Sequence, residues 1–326
     1  MKNFTVGVDV SKDKLDFCIL SVLDYSVVKK GVIENTKKGI TDWLKKLNPE
    51  EFEISLEHTG NYGAMLSWMA SESSFVFYMI NPLELKRSIG IQRGKSDSID
   101  AYRIAAYTIG NKHRIKPYKL PSEKLRKLKA LITSREHFVK IIVQLKNSLK
   151  ANEILHKTIF IKELLKAEKK HIESIGKTIL SIEDQMMSII SLSQELNKSY
   201  QKVIGVIGVG PITAIYCISE TDNFLKFYNP RKFSCHCGLA PFPYQSGSSI
   251  KGRTKTHYFR KKQLKAILFK AACSSIQHDP QLKAYYNKKL KEGKHKLSVI
   301  NAVANKLVLR IFAVVNREES FVKLAA

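Results

Sequence analysis

Apolar side chains fall in short, strand-like runs over the first hundred residues, and at helical spacing over most of the rest. Residues 4–10 read as a buried strand. Residues 16–22 and 26–33 alternate apolar and β-branched positions around Asp24-Tyr25, which predicts a meander. Residues 36–47 place Ile40, Trp43, Leu44 and Leu47 on one helical face. A strand over 53–56, a helix over 62–71 and a strand over 75–80 follow, and Pro82 breaks the last of these. A helix over 99–109 begins with Asp97 or Ser98 near its N-cap.

Beyond a basic, Pro-containing linker at 112–121, Leu125, Leu128, Ile132, Arg135, Val139, Ile142, Lys146 and Leu149 keep a three-four spacing. Ile172, Ile175, Ile179, Ile182, Met186, Ile189, Ser193 and Leu196 repeat it. Two such helices joined near 151–162 predict an antiparallel coiled-coil hairpin or a dimerising pair, with a bundle inside one subunit as the plainer alternative. Residues 203–214 put a Gly-rich turn, Gly205 to Gly210, between helical flanks. Such a turn either presents backbone N–H groups to a phosphate or simply packs. Residues 238–252 read as an exposed loop, and 263–277 and 296–315 as helices, the last apolar enough to be core.

The order β-β-β-α-β-α-β-α gives a mixed sheet with the first strand central, a ribonuclease-H-like (RuvC-like) α/β domain. The fold class is therefore α/β plus α. It comprises a domain at 1–111, a helical middle at 112–200 and a mainly helical C-terminal region at 201–326.

Charge divides the chain along the same line. The net charge is +26, yet residues 1–110 carry 14 basic and 14 acidic side chains, and the remainder carries 41 and 15. A polyanion is the partner that such a balance fits. No run of 18 apolar residues appears, and the N-terminus meets a charge too early for a signal peptide. Five scattered cysteines, Cys18, Cys217, Cys235, Cys237 and Cys273, suit a reducing cytoplasm. Cys235-His236-Cys237 lacks a second pair at finger-like spacing, so buried structural thiols are expected rather than zinc ligands.

Inside the neutral third, Asp9 lies on the first strand, Glu57 ends another, and Asp97 and Asp100 share a face of one helix. Carboxylates at the ends of apolar strands are costly to bury. Together they form a donor set for Mg²⁺ or Mn²⁺ in phosphodiester cleavage. Taken singly, each has a plainer role as a cap or an ion-pair partner. Asp13 and Asp16 are expected to be solvated, and His58 is either a neighbour of the metal or a surface residue. Ser246 sits in a Gly/Ser-rich stretch with Ser248 and Ser249. Chemistry alone makes any of the three a turn residue first and a nucleophile second. Lys251, Arg253, Lys255, Arg260, Lys261 and Lys262 form a cationic run suited to nucleic acid.

The chain resembles the DEDD-type insertion-sequence transposases (the "IS one-ten" family), bridge-RNA-guided DNA recombinases. The resemblance rests on Gly7-Val-Asp9-Val-Ser-Lys12, Glu57-His-Thr-Gly-Asn-Tyr62, and Asn81-Pro82 followed by Lys95-Ser-Asp97-Ser-Ile-Asp100-Ala101. It rests further on residues 204–214, Gly238-Leu-Ala-Pro and Ser246-Gly247, and it spans nearly the whole chain. Ser96 stands where the family usually has Thr, and the run from Thr256 to Lys265 lacks the family's Gly-containing turn.

The resemblance implies that Asp9, Glu57, Asp97 and Asp100 form an acidic tetrad holding Mg²⁺. It implies that Ser246 forms a covalent phosphoserine link to DNA and that the helical middle builds a homodimer, a tetramer when DNA ends are paired. It also implies a structured noncoding guide RNA and a cytoplasmic, nucleoid-associated bacterial protein. In RNA-guided systems base pairing reads sequence while protein reads shape and charge. A plain metal-dependent nuclease of the Holliday-junction-resolvase type would need the carboxylates but not Ser246. A non-catalytic nucleic-acid-binding protein would need neither.

Overall fold

The computed structural model describes residues 2–58, 60–88, 90, 97–246, 250–256 and 259–317; for 243–246, 250, 251, 253 and 255 it describes the backbone alone. The chain divides into two compact units, Met1–Leu120 and Pro121–Ala326. The hairpin helices and the C-terminal helices thus fall in one unit.

In the first unit, β1 (Phe4–Val10), β2 (Lys14–Ser21) and β3 (Val27–Glu34) run antiparallel to their neighbours. α1 (Lys37–Leu44) leads to β4 (Phe52–Glu57), and α2 (Ala64–Glu72) leads to β5 (Val76–Ile80). β4 lies parallel to β1, and β5 parallel to β4. The sheet order is β3-β2-β1-β4-β5, with the first strand central as its patterning predicts. Val6, Val8, Leu15, Phe17, Ile54 and Leu56 pack with Ile40, Trp43 and Leu44 of α1 and Leu66 of α2 on one face. α3 (Pro82–Ser88) and α4 (Asp97–Gly110) complete the unit. Pro82 ends the strand but does not end regular structure. It opens α3, and Asn81 Oδ1 accepts from the Leu83 N–H at 2.9 Å, so the proline occupies the first helical turn, where its missing donor costs nothing.

α4 lies against the opposite sheet face at Gly7. A Cβ there would sit 2.1 Å from the Ala101 carbonyl oxygen and 2.5 Å from the Ala105 nitrogen. A glycine on the central strand and alanines on the helix let the two backbones touch. Cys18 and Leu20 of β2 fill the space beside them.

The second unit begins with α5 (Glu123–Leu155), whose N-cap is Ser122, and α6 (Lys162–Ser191). These form an antiparallel hairpin. Arg135 Nε meets Glu183 Oε1 at 2.6 Å near its base. Towards the tip, Ser148 and Asn152 donate to Glu168 Oε1 at 2.7 and 2.9 Å. The helix expected to continue to Leu196 stops at Ser191. α7 (Gln194–Ile204) then starts anew, and its Leu196, Tyr200 and Val203 join the same core as Ile182, Met186 and Ile190 of α6.

α8 (Pro211–Glu220), α9 (Pro230–His236), α10 (Lys262–His278), α11 (Pro280–Lys291) and α12 (Lys296–Asn316) build the rest. Leu125, Leu128 and Ile132 of α5 and Ile182, Met186 and Ile190 of α6 share one core with α7, α8, α10 and α12. α12 is long and apolar enough to cross a membrane by length and composition. Val303, Ala304, Leu307, Val308, Ile311 and Phe312 instead make it the central core helix.

Residues 238–252 are not a loop throughout. β6 (Phe242–Ser246) and β7 (Ile250–Lys255) form a two-stranded antiparallel hairpin. Pro243 hides this strand in the sequence, since a proline is tolerated only where its missing N–H leaves no ladder bond unmade.

Candidate functional site

Asp97 and Asp100 come within electrostatic reach of Asp9 at the carboxyl end of β1. Asp9 lies two residues beyond Gly7, the point where α4 touches the sheet. Asp97 and Asp100 lie at the start of α4, just before Ala101, which makes that contact. The close approach therefore carries both helical acids towards Asp9. Electrostatics register the result. Burial pushes the Asp9 carboxyl above the ordinary carboxylate range, and the charges of Asp100, Asp97 and Asp16 push it further. A bond from the Val10 N–H opposes them only in part. Val8 is paired with Leu56, so Asp9 and Glu57 are the next residues on two adjacent parallel strands. Glu57 is half-buried and level with Ile80 of β5. His58 is exposed, and its backbone N–H donates to the Ile80 carbonyl.

Asp16, expected in solvent, is buried opposite Asp9 on β2, whereas Asp13 is exposed. The sheet is covered on both faces, so the polar position of an alternating strand is not automatically wet. Lys14 joins the group from outside. Its Nζ lies 2.8 Å from Asp97 Oδ2 and 3.0 Å from Asp16 Oδ2. Hydrogen bonds that it donates to Asp97 first and Asp16 second hold its ammonium well above its usual range. Arg103 Nη1 pairs with Asp100 Oδ1 at 2.8 Å, one helical turn along.

Among the described residues, no three His, Cys, Asp or Glu side chains form a ready-made metal cage. The donor chemistry nonetheless fits Mg²⁺. These are carboxylate oxygens, with neither the thiolate nor the imidazole that would favour zinc. Lys14 and Arg103 already answer Asp97 and Asp100, and Asp9 is the member of the set on which burial and repulsion fall together.

Gly7→Ala tests this architecture. Its Cβ would force α4 off the sheet, so we expect a destabilisation of about 1–3 kcal/mol, read as a lower melting temperature. A melting temperature equal to wild type would show that α4 does not rest on Gly7.

The second unit carries the serine and the basic run. Ser246 is the last residue of β6, paired with Ile250, at the end of the two-stranded hairpin. Lys95, Ser96, Gly247, Ser248 and Ser249 lie outside the described residues, as do the side chains of Ser246, Lys251, Arg253 and Lys255. The last three occupy every second position of β7. Arg260 is half-buried, and Lys261 and Lys262 are exposed at the start of α10.

Lys261 is not a free surface charge. Its Nζ lies 3.5 Å from Glu220 Oε1, while His236 Nε2 lies 3.2 Å from Glu220 Oε2. Burial alone would raise Glu220, but the His236 hydrogen bond and the charges of Lys261, His236 and Lys226 outweigh it and hold the carboxyl at about 2. Sequence reasoning passed over Glu220, because its partners lie 16 and 41 residues away. It likewise missed Glu53, buried under a 2.8 Å ion pair with Lys112 and a 2.7 Å bond from Thr5.

Cys217 and Cys237 are buried and Cys235 is half-buried. Burial pushes the Cys217 thiol up to about 12, and the Glu220 charge adds to it, which keeps this thiol protonated and inert. The Gly205–Gly210 turn joins α7 to α8, and Gly208, at φ +91°, has a packing role. Any Cβ there would lie 2.1 Å from Ser275 Oγ, which itself donates to the Ile207 carbonyl at 2.9 Å.

Residues 6–158 match the DEDD transposases of the IS110 type, and residues 201–287 match the transposase IS116/IS110/IS902 family. Pilin gene-inverting proteins from Moraxella bovis and Moraxella lacunata are each 24% identical over 332 aligned positions, covering 99% of both chains. The solved structure of T. thermophilus RuvC in complex with Holliday junction substrate aligns with 35% of this chain and 99% of its own. That alignment has 14% identity and a TM-score of 0.29.

Proposed function

Because the chain belongs to the IS110-type family of DEDD transposases, we propose that it moves its own DNA element by cutting and rejoining strands through a serine-linked intermediate. The observation that carries this reading is the gathering of Asp97 and Asp100 onto Asp9 by the helix seated on Gly7. The first unit is then a ribonuclease-H-like domain whose Asp9, Glu57, Asp97 and Asp100 hold Mg²⁺. When bound, the ion supplies charge neutralisation at the scissile phosphate and at the leaving oxygen. Lys14 and Arg103 keep Asp97 and Asp100 in place through their ion pairs.

In the second unit, Ser246 Oγ attacks the phosphorus. The Oγ–P bond forms as one deoxyribose C–O–P ester bond breaks at phosphorus, and the sugar oxygen departs as a hydroxyl with the proton that the serine lost. The reverse attack by a sugar hydroxyl restores the phosphodiester and the free serine, so rejoining needs no outside energy. A protein that rearranges DNA without net bond loss agrees with relatives named for gene inversion. The positive balance of residues 111–326 suits DNA and a structured guide RNA, and the long helical hairpin suits a homodimer that pairs into a tetramer on DNA.

The test is a cleavage assay on element-end DNA with the element's noncoding RNA, run with Mg²⁺ and again with a chelator. We expect cleavage only with both the ion and the RNA. Cleavage at full rate in the chelator would remove the metal from the reading, and cleavage at full rate without RNA would remove the guide.

A further inference from the structure

Beneath the β6–β7 hairpin lies a groove of about 640 Å³ whose chemistry the reaction above does not use. Pro241, Thr254 and Thr256 come from the hairpin side, Arg260, Lys265 and Phe269 from the start of α10, and Leu297, Ser298 and Asn301 from the first turns of α12. No carboxylate is among these nine residues. Arg260 and Lys265 line the same groove, and burial, then the charge of Arg260, pull the Lys265 ammonium below its usual range.

Arg260 is held there by its stem. Gly238, at φ +71°, leaves room for it, and a Cβ at that position would lie 2.4 Å from Arg260 Cδ. The neighbouring Leu239 carbonyl accepts from Asn301 Nδ2 at 2.7 Å, so one short segment sets both the arginine and the amide on the rim. The N-terminus of α12 has no side-chain cap bond, and the Ser298 and Val299 N–H groups close onto the His295 carbonyl at 2.9 and 3.1 Å, which leaves the Ser298 hydroxyl as the contribution of that turn to the groove. Two cations and three hydroxyls, with no carboxylate among the described lining residues, make a groove suited to an anion.

We infer that this groove binds one backbone phosphate of the DNA strand presented to Ser246, upstream or downstream of the cut, with Lys265 and Arg260 as the charge partners and Thr254, Thr256 and Ser298 as donors. The inference rests on the serine reading for its register alone. Ile250 is paired with Ser246, and Thr254 is four residues further along β7. At about 3.3 Å per residue that is roughly 13 Å. The axial rise of a stacked strand is about 3.4 Å per nucleotide and its phosphates lie further apart than that, so the bound phosphate lies within a few nucleotides of the scissile one.

The experiment measures binding of full-length protein to element-end DNA across a salt series, for wild type, Lys265→Gln and Lys265→Arg. A neutral methylphosphonate is also placed at one phosphate at a time. We expect Lys265→Gln to flatten the slope of log K against log salt by about 0.9, the loss of one phosphate contact, and Lys265→Arg to restore it. We expect the methylphosphonate to weaken wild type at one position within a few nucleotides of the cut and to leave Lys265→Gln unaffected there. An unchanged slope in a Lys265→Gln protein of wild-type melting temperature overturns the proposal. If that variant melts early, the DNA-side scan on wild type decides, and a scan without a sensitive phosphate in that neighbourhood overturns it too. A DNA adduct on Ser246 with an unchanged slope would remove the groove and leave the serine reading. A changed slope with no adduct in any protein would do the reverse.

Discussion

Asp9→Asn is expected to abolish strand cleavage while raising the melting temperature of the metal-free protein. The two effects share one cause. Asp9 is half-buried, and its carboxyl sits above the ordinary range through burial and through repulsion from Asp100, Asp97 and Asp16. A carboxyl whose folded-state pKa is raised makes the folded protein less stable once pH exceeds its unfolded value. That cost is fully present above the raised pKa and fades as pH falls through it. An amide of the same shape carries no charge and removes the cost. It also removes a charged oxygen donor from the place where Mg²⁺ is proposed to bind, and we expect cleavage to fall by about 10²–10³-fold or more.

Thermal melts with and without Mg²⁺ and a cleavage time course check both halves. Wild type should gain stability from the ion, and Asp9→Asn should gain less. A variant that melts earlier than wild type and cleaves normally would make Asp9 a structural residue. The same charge logic predicts that wild-type cleavage falls as pH drops through the raised Asp9 pKa, because protons then compete with the ion for this carboxylate.

Ser246→Ala is expected to eliminate every covalent protein–DNA species on a denaturing gel, while folding and DNA affinity stay at wild-type levels. The β6–β7 pairing of Ser246 with Ile250 is made by backbone, which alanine keeps. Loss of the hydroxyl removes the nucleophile and little else. Ser248→Ala and Ser249→Ala should retain the adduct. An adduct that survives in Ser246→Ala and vanishes in Ser248→Ala would move the nucleophile along the turn. Nicked DNA in wild type and variant alike, without an adduct in either, would leave a metal-dependent nuclease and return Ser246 to an ordinary strand end.

Local patterning carried much of this without coordinates. The buried run of residues 4–10, the alternation of 16–22, the helical face of 36–47 and the three-four spacing of 125–149 depend on near neighbours, and each forms where it was read. The neutral first third and the basic remainder are composition, which folding does not alter. Asp9, Glu57, Asp97 and Asp100 were named by chemistry and by likeness to a family. That Asp97 and Asp100 reach Asp9 follows from Gly7, whose missing side chain matters only once α4 is known to lie on it.

Other features depended on contacts between distant positions, which sequence spacing does not encode. Asp16 looked like the wet side of a strand until a helix covered that face. Pro82 ends its strand as read and then opens a helix, while the stretch around Pro243, read as loop, forms β6, because a proline's effect depends on whether its missing donor had a partner to lose. Lys261 counted as free charge until Glu220 and His236 came beside it. Sequence alone determined which residue types were on hand, which local elements they form and how charge is apportioned, because those depend on neighbours a few bonds away. The tertiary structure decided which charges are engaged and which acids repel one another, because burial and Coulomb interaction act through space.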